Sequence, residues 1–160
     1  METENSAAST PSETGTFNVT VSGGVTPPGP GNDTIILNIN AVRQDGYDGE
    51  DTLVVEENNV DFRSLTVELL NMEIIDLTNN GQQTVTLDAA SVQNMTDGNN
   101  ELTIQGDTAT DSEDTVIASG GWTQDADQTI DTINYHVFTC ISGSDTLQLN
   151  IEEHLIYNIS

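Results

Sequence analysis

Two short stretches that contain glycine and aspartate decide the fold of this chain. Residues Pro28–Ile36 are PGPGNDTII, and residues Gly46–Val54 are GYDGEDTLV. The stretches are offset by 18 residues and share a glycine at the fourth position, an aspartate at the sixth, a threonine at the seventh and two aliphatic residues after it. A repeated offset of this kind predicts that the two turns stack on one edge of a coiled β-structure, with neighbouring strands about 4.8 Å apart.

The residue types in these turns suit a calcium ion. Glycine permits tight backbone conformations that point carbonyl oxygens inward, and the carboxylates of Asp33 and Asp51 add the hard oxygen ligands that Ca²⁺ prefers. An ordinary pair of loop turns is the alternative, because glycine, asparagine, aspartate and proline are common in turns of every kind. The predicted calcium site consists of Gly31, Asp33, Gly46, Asp48, Gly49 and Asp51.

The charge of the chain narrows the classes of partner. The 160 residues carry 27 acidic side chains against only Arg43 and Arg63, which gives a formal net charge of −25. Such a chain does not neutralise phosphates, so we expect no nucleic-acid partner. The sequence also lacks an apolar run long enough for a spanning helix, so we expect no membrane insertion. A chain this acidic repels itself unless cations screen or bind it.

The composition along the chain predicts two parts. Residues 1–28 are predicted to be a flexible segment that holds the end strand of an upstream domain, Thr16–Val21, and a proline-rich linker. Residues 29–160 are predicted to form one β-domain, because short clusters of valine, isoleucine, leucine and threonine alternate with turn residues. The expected fold is all-β, with a short calcium-stabilised parallel β-roll or β-solenoid that continues into further short strands.

The clusters predict ten strands in the β-domain, and one segment has a helical pattern. Asp88 is placed to cap the amino end of one or two helical turns that run to Met95. The predicted strands are Thr34–Ile39, Thr52–Glu56, Thr66–Leu70, Glu73–Leu77, Thr84–Leu87, Glu101–Ile104, Asp114–Ala118, Thr132–Phe138, Thr146–Ile151 and Leu155–Ile159.

Several fragments, taken in chain order, resemble the C-terminal region of large RTX-type bacterial adhesins that are exported by type I secretion. The fragments are DGYDGEDTL (45–53), EIIDLT (73–78), TVTLDAASV (84–92), ELTIQGD (101–107), DTV (114–116), GGWT (120–123), NYHVF (134–138) and DTLQL (145–149). The first of them resembles a late nonapeptide calcium repeat of that family. The resemblance implies a secreted or cell-surface protein, calcium-dependent folding, a role in adhesion or biofilm formation, and a secretion signal within residues 149–160.

The resulting hypothesis is a structural module of a surface adhesin and not an enzyme. The chain has no Gly-x-Ser-x-Gly motif, and adjacent acids such as Glu152 and Glu153 should point to opposite faces of a strand. A ligand-binding tip that recognises a cell-surface glycan is the first alternative, with Trp122 as the stacking platform. A self-assembling surface-layer or matrix subunit, in which Thr16–Val21 joins a neighbouring domain, is the second.

Other chemically distinctive side chains have ordinary structural interpretations. Trp122 and Cys140 are predicted to lie in the core, and His136 and His154 are predicted to be strand or surface histidines without a ligand partner. A second acidic group is predicted to be a solvated loop, with an additional cation site as the alternative. This group consists of Asp107, Asp111, Glu113 and Asp114.

Overall fold

The computed structural model describes residues 28–78, 81–107 and 113–160. These residues are mostly β-structure, with one short helix, and the predicted strand Thr16–Val21 lies outside them. The strands are β1 (Thr34–Ile36), β2 (Arg43–Asp45), β3 (Thr52–Val54), β4 (Asn59–Asp61), β5 (Glu68–Leu70), β6 (Ile74–Asp76), β7 (Thr84–Asp88), β8 (Glu101–Gln105), β9 (Thr115–Ser119), β10 (Thr123–Gln124), β11 (Gln128–Ile130), β12 (Ile133–Ser142), β13 (Asp145–Glu152) and β14 (Ile156–Ile159), and the helix is α1 (Ala89–Met95).

The largest sheet is built from parallel strands that follow each other through the chain. Its order is β1, β3, β6, β8 and β13, and every neighbouring pair in this series is parallel. We call each passage of the chain from one of these strands to the next a coil. Thr34 pairs with Thr52, which is the 18-residue offset predicted from the two turns. The next coils are longer, since Thr52 pairs with Ile74, Ile74 with Thr103 and Thr103 with Asn150.

The other sides of the coils form a second stack. Strands β4, β7, β9 and β14 make a parallel four-stranded sheet, and β2 pairs with β5 in a parallel two-stranded sheet. In the coil that contains β7, helix α1 packs beside β5. The helix begins as predicted, because the Asp88 carboxylate accepts a hydrogen bond from Ser91 N at 2.8 Å.

An antiparallel hairpin extends the large sheet at its carboxyl-terminal end. Strands β12 and β13 pair antiparallel, and β10 and β11 both pair with the outer side of β12. The sheet is therefore mixed, because its first five strands are parallel and its last strands are antiparallel.

Buried aliphatic side chains run through the coils as a continuous column. Register places Ile35, Leu53, Ile75, Ile104 and Ile151 opposite one another across the large sheet, and each of them is buried. Because side chains of a strand alternate between faces, residues two positions earlier also point inward. In β8 and β13 these are the paired and buried Leu102 and Leu149, whereas the first three coils have acids there.

All ten predicted strands are present, with ends that differ by a few residues. Four short strands were not predicted, and they are Arg43–Asp45, Asn59–Asp61, Thr123–Gln124 and Gln128–Ile130.

Candidate functional site

The two turns found in the sequence stack directly on each other. A Cβ atom on Gly49 would lie 2.6 Å from the backbone C and O atoms of Gly31, so only glycine permits this approach. Glu50 N donates to Asn32 Oδ1 at 3.1 Å, and Thr52 N donates to Asp33 O at 2.8 Å. These bonds hold the turns in the register that the 18-residue offset predicts.

Three acids that lie just before β1, β3 and β6 form a hydrogen-bonded ladder, which we call the acid column: Asp33, Asp51 and Glu73. Asp33 N donates to Asp51 Oδ1 at 2.7 Å, and Asp51 N donates to Glu73 Oε2 at 2.8 Å. Asp33 Oδ2 accepts in turn from Gly29 N at 2.7 Å. Each carboxylate therefore accepts a hydrogen bond from a backbone amide in an earlier part of the chain, and these bonds connect the first three coils.

Asp51 is the most deeply buried member of the acid column. Its side chain is fully buried, and its Oδ2 atom has no hydrogen-bond partner among the described residues. A Cβ atom on Gly46 would overlap both this carboxylate and the carbonyl oxygen of Asn71. Asp51 Oδ2 and the Asn71 carbonyl oxygen therefore both lie against the face of Gly46 where another residue would have its Cβ atom.

The electrostatics of the column disfavour three ionised acids. Burial raises the pKa of Asp51, the Asp33 amide opposes this effect, and the negative charges of Asp33 and Asp45 raise the pKa further. Burial likewise raises the pKa of Glu73, against the hydrogen bond from the Asp51 amide. A bound proton or a bound cation would relieve both groups, because either one neutralises a buried negative charge.

The structure brings all six predicted site residues together. Gly31 packs on Gly49, Gly31 N donates to the Asp48 carbonyl oxygen, and Gly46 packs on Asp51, which is bonded to Asp33. The Asp33 and Asp51 carboxylates point to backbone amides, and no group of three or more acidic, histidine or cysteine side chains in the described residues is arranged to hold a metal ion. The oxygen atoms converging on Gly46 come from one carboxylate and one carbonyl group.

Asp114 was missed as a structural residue, because the acidic group around it was predicted to be solvated. Its side chain is fully buried, and its carboxylate accepts from Gln83 N at 2.8 Å and from Asp107 N at 3.0 Å. Burial raises its pKa, and the two amides oppose that effect. Asp111 lies outside the described residues. The buried Asp114 therefore closes a loop, and the prediction that it is solvated was wrong.

Each histidine lies beside an acidic side chain, and His136 is a residue of strand β12, as predicted. His136 Nδ1 lies 3.1 Å from Asp127 Oδ1. His154 Nδ1 lies 3.3 Å from Glu152 Oε1, while its Nε2 lies 3.2 Å from the Gly106 carbonyl oxygen. The pair of His136 and Asp127 was not predictable because the loop before β11 brings Asp127 beside β12, and the pair of His154 and Glu152 forms in the turn that follows β13.

Several predictions about single residues are confirmed. Trp122 and Cys140 are buried, and Trp122 Nε1 donates to Ser119 O at 3.1 Å. Glu152 is buried and Glu153 is exposed, but Glu153 lies in the turn after β13, so the predicted strand alternation does not apply to this pair. The buried position of Trp122 removes it as a stacking platform for a sugar.

Comparison of the chain with protein-family models, with curated proteins and with solved structures found no match. Among residues 28–78, 81–107 and 113–160, no helix has the length and apolar character needed to cross a membrane.

Proposed function

We propose that this chain is a calcium-stabilised, non-enzymatic structural module of a secreted bacterial surface adhesin. The observation that supports it best is the in-register stack of the two glycine-aspartate turns, with Gly31 against Gly49 and the Asp33 amide on the Asp51 carboxylate. The parallel coils that follow support a β-solenoid rather than a sandwich, because successive coils pair in chain order.

The proposed cation site is the face of Gly46. Asp51 Oδ2 and the Asn71 carbonyl oxygen would supply two ligands to the ion, and oxygen is the ligand atom that calcium prefers. When bound, calcium supplies positive charge to a buried carboxylate whose Oδ2 atom has no hydrogen-bond partner among the described residues. The ion would bind the folded coils only, so its binding free energy would add to the stability of the fold.

The charge of the whole chain supports the same proposal. With a net charge of −25, the folded state suffers self-repulsion that cations reduce. An extracellular medium rich in calcium would favour the folded module, whereas a cytosol poor in calcium would leave the chain loose and suited to export. The module would then act as a rigid spacer or end piece of a fibrous adhesin.

Calcium-dependent thermal unfolding tests the proposal. At a calcium concentration one hundred times the Kd, a single site that binds only the folded state adds about 2.7 kcal/mol of stability. We therefore expect calcium chloride to raise the melting temperature well above the value reached in sodium chloride of equal ionic strength. Equal shifts from the two salts would overturn the proposal, because screening acts alike for both.

Two variants with the same change of charge locate the site. Asp51→Asn removes the charge at the proposed site, and Glu56→Gln removes one exposed charge elsewhere. We expect a calorimetric calcium titration to lose its specific binding in Asp51→Asn and to keep it in Glu56→Gln. Retained binding in Asp51→Asn would show that the ion binds elsewhere.

A further inference from the structure

Among residues 28–78, 81–107 and 113–160 the large sheet ends at β1, and the outer edge of this strand, here called its free edge, is shaped to accept another strand. Asp33 O accepts from Thr52 N, and Leu37 N donates to Val54 O, so these residues direct their backbone groups toward β3. In a parallel pair, alternate residues direct both backbone groups to opposite sides. Thr34 and Ile36 therefore present their backbone groups to the free edge, where they form a template for pairing.

The sequence one coil earlier repeats the pattern of β1 and β3. Residues 16–19 are TFNV, residues 34–37 are TIIL and residues 52–55 are TLVV, each set 18 residues from the next. In the two described sets the second and fourth residues are buried, and these are Ile35, Leu37, Leu53 and Val55. Phe17 and Val19 occupy the same two positions in the first set.

We propose that residues 16–19 add to the free edge of β1 as a parallel strand and complete one further coil of the same chain. Fourteen residues separate Val19 from Thr34, and fourteen separate Leu37 from Thr52, so the connection has the length of the first described coil. The short connection also favours this chain's own segment over that of a second molecule, because it gives a high effective concentration. The segment would then belong to this module and not to an upstream domain.

The Gln44 side chain covers part of the free edge of β1. Its contacts show which backbone amides on that edge remain available to the added strand. Its Nε2 donates to Ile36 O at 2.8 Å, and its Oε1 accepts from Asn38 N at 2.8 Å. A carbonyl oxygen has two lone pairs, so Ile36 O can accept a second donor. These Gln44 bonds leave the Thr34 and Ile36 amide hydrogens without protection from that side chain, and the added strand would supply their acceptors.

Amide hydrogen exchange of the full chain tests this proposal at those two residues. Phe17→Asp and Val19→Asp place a charge at the inward positions, and Asn18→Asp places the same charge at the outward position between them. We expect the Thr34 and Ile36 amides to exchange slowly in the parent chain and in Asn18→Asp, and about tenfold or more faster in the two inward variants.

Two results would overturn the proposal. The first is equal exchange of the Thr34 and Ile36 amides in the parent chain and all three variants, which would mean that the edge stays unpaired. The second is protection that grows with protein concentration together with an increase in molecular mass, which would mean that the strand comes from another molecule. Neither result depends on calcium, so failure here is separable from failure of the proposed calcium site.

Discussion

Asp51 and Asp114 are both fully buried, and each packs against a glycine, Gly46 and Gly106 respectively. They differ in how their carboxylates are satisfied. Both oxygens of Asp114 accept backbone amides, whereas Asp51 has a donor on Oδ1 and none on Oδ2 among the described residues. Burial alone therefore does not reveal the role of an acid, because one of these carboxylates completes a loop and the other has room for a proton or cation.

The two aspartates also differ in where they lie along the stack of coils. Asp51 lies between two stacked turns near β1, where the acids of the acid column are close to one another. Asp114 lies near the carboxyl-terminal strands, where burial raises its pKa and the Asp107 and Gln83 amides oppose that effect. Asp51 therefore has other acids beside it, whereas Asp114 has two backbone amides, one on each carboxylate oxygen.

The largest effect is expected from filling the face of Gly46. In Gly46→Ala the new methyl group meets the Asn71 backbone carbonyl and the Asp51 carboxylate, neither of which can move without breaking the coil contacts. We expect a loss of about 3 kcal/mol in the free energy of unfolding, measured by urea denaturation. In Gly106→Ala the obstacles are the Leu155 and Asp114 side chains, so a smaller loss is expected.

Gly98→Ala provides the control for this prediction. A Cβ atom at Gly98 meets no other atom within 4 Å, and we expect a change of no more than about 0.5 kcal/mol. A loss in Gly46→Ala that is no larger than in Gly98→Ala would contradict the tight convergence of atoms on Gly46.

The second-largest effect is expected from the replacement of each buried aspartate by asparagine. In Asp114→Asn one of the two amide donors faces an NH₂ group, so we expect a loss of about 2 kcal/mol in calcium-free buffer. In Asp51→Asn the Nδ2 group can replace Oδ2 and face the Asn71 carbonyl oxygen, so we expect little or no loss. Chemical denaturation of both variants measures the contrast, and equal losses would show that the two carboxylates are equivalent.

The smallest effect is a pH dependence in calcium-free buffer. The pKa values of Asp51, Glu73 and Asp114 are raised in the folded state. Their stabilising contribution is therefore complete below the unfolded pKa values near 4 and is lost as the pH rises through the folded values. We expect lower stability at pH 7.5 than at pH 5, with a flatter profile in Asp51→Asn.

The opposite pH trend would be informative. The pKa values of Asp45 and Asp61 are lowered by their hydrogen bonds, so their contribution is lost only in more acidic solution. Stability that rises between pH 5 and pH 7.5 would therefore mean that the buried acids are already neutralised by some other group.

Sequence patterns predicted the strands better than they predicted the site. Ten strands were recognisable because their aliphatic residues cluster between turn residues, and α1 because Asp88 stands before a helical pattern. The missed strands, such as Arg43–Asp45 and Asn59–Asp61, are short and polar. These strands form because they pair with strands that are distant in sequence, and the local propensity of their residues does not indicate that pairing.

The register of the two glycine-aspartate turns was predictable from the sequence, but the direction of the acidic side chains was not. The 18-residue offset correctly stacked Gly31 on Gly49 and Asp33 on Asp51. The burial of Asp51 and Asp114 was not predictable, because a charged residue next to a turn normally faces water. Only the completed coils show that both acids lie inward, and at the position of Asp51 the later strands β8 and β13 have leucine.

The β12–β13 hairpin has a consequence for the order of folding. Its strands pair over eight residue pairs across a two-residue turn, in which Gly143 has a φ of +64°, so it can form within microseconds. The parallel pairs must close loops of 18 residues or more, which lose more chain entropy. We therefore expect folding to begin at the hairpin, so that during synthesis from the amino terminus the earlier coils assemble only after residues 133–152 have been made.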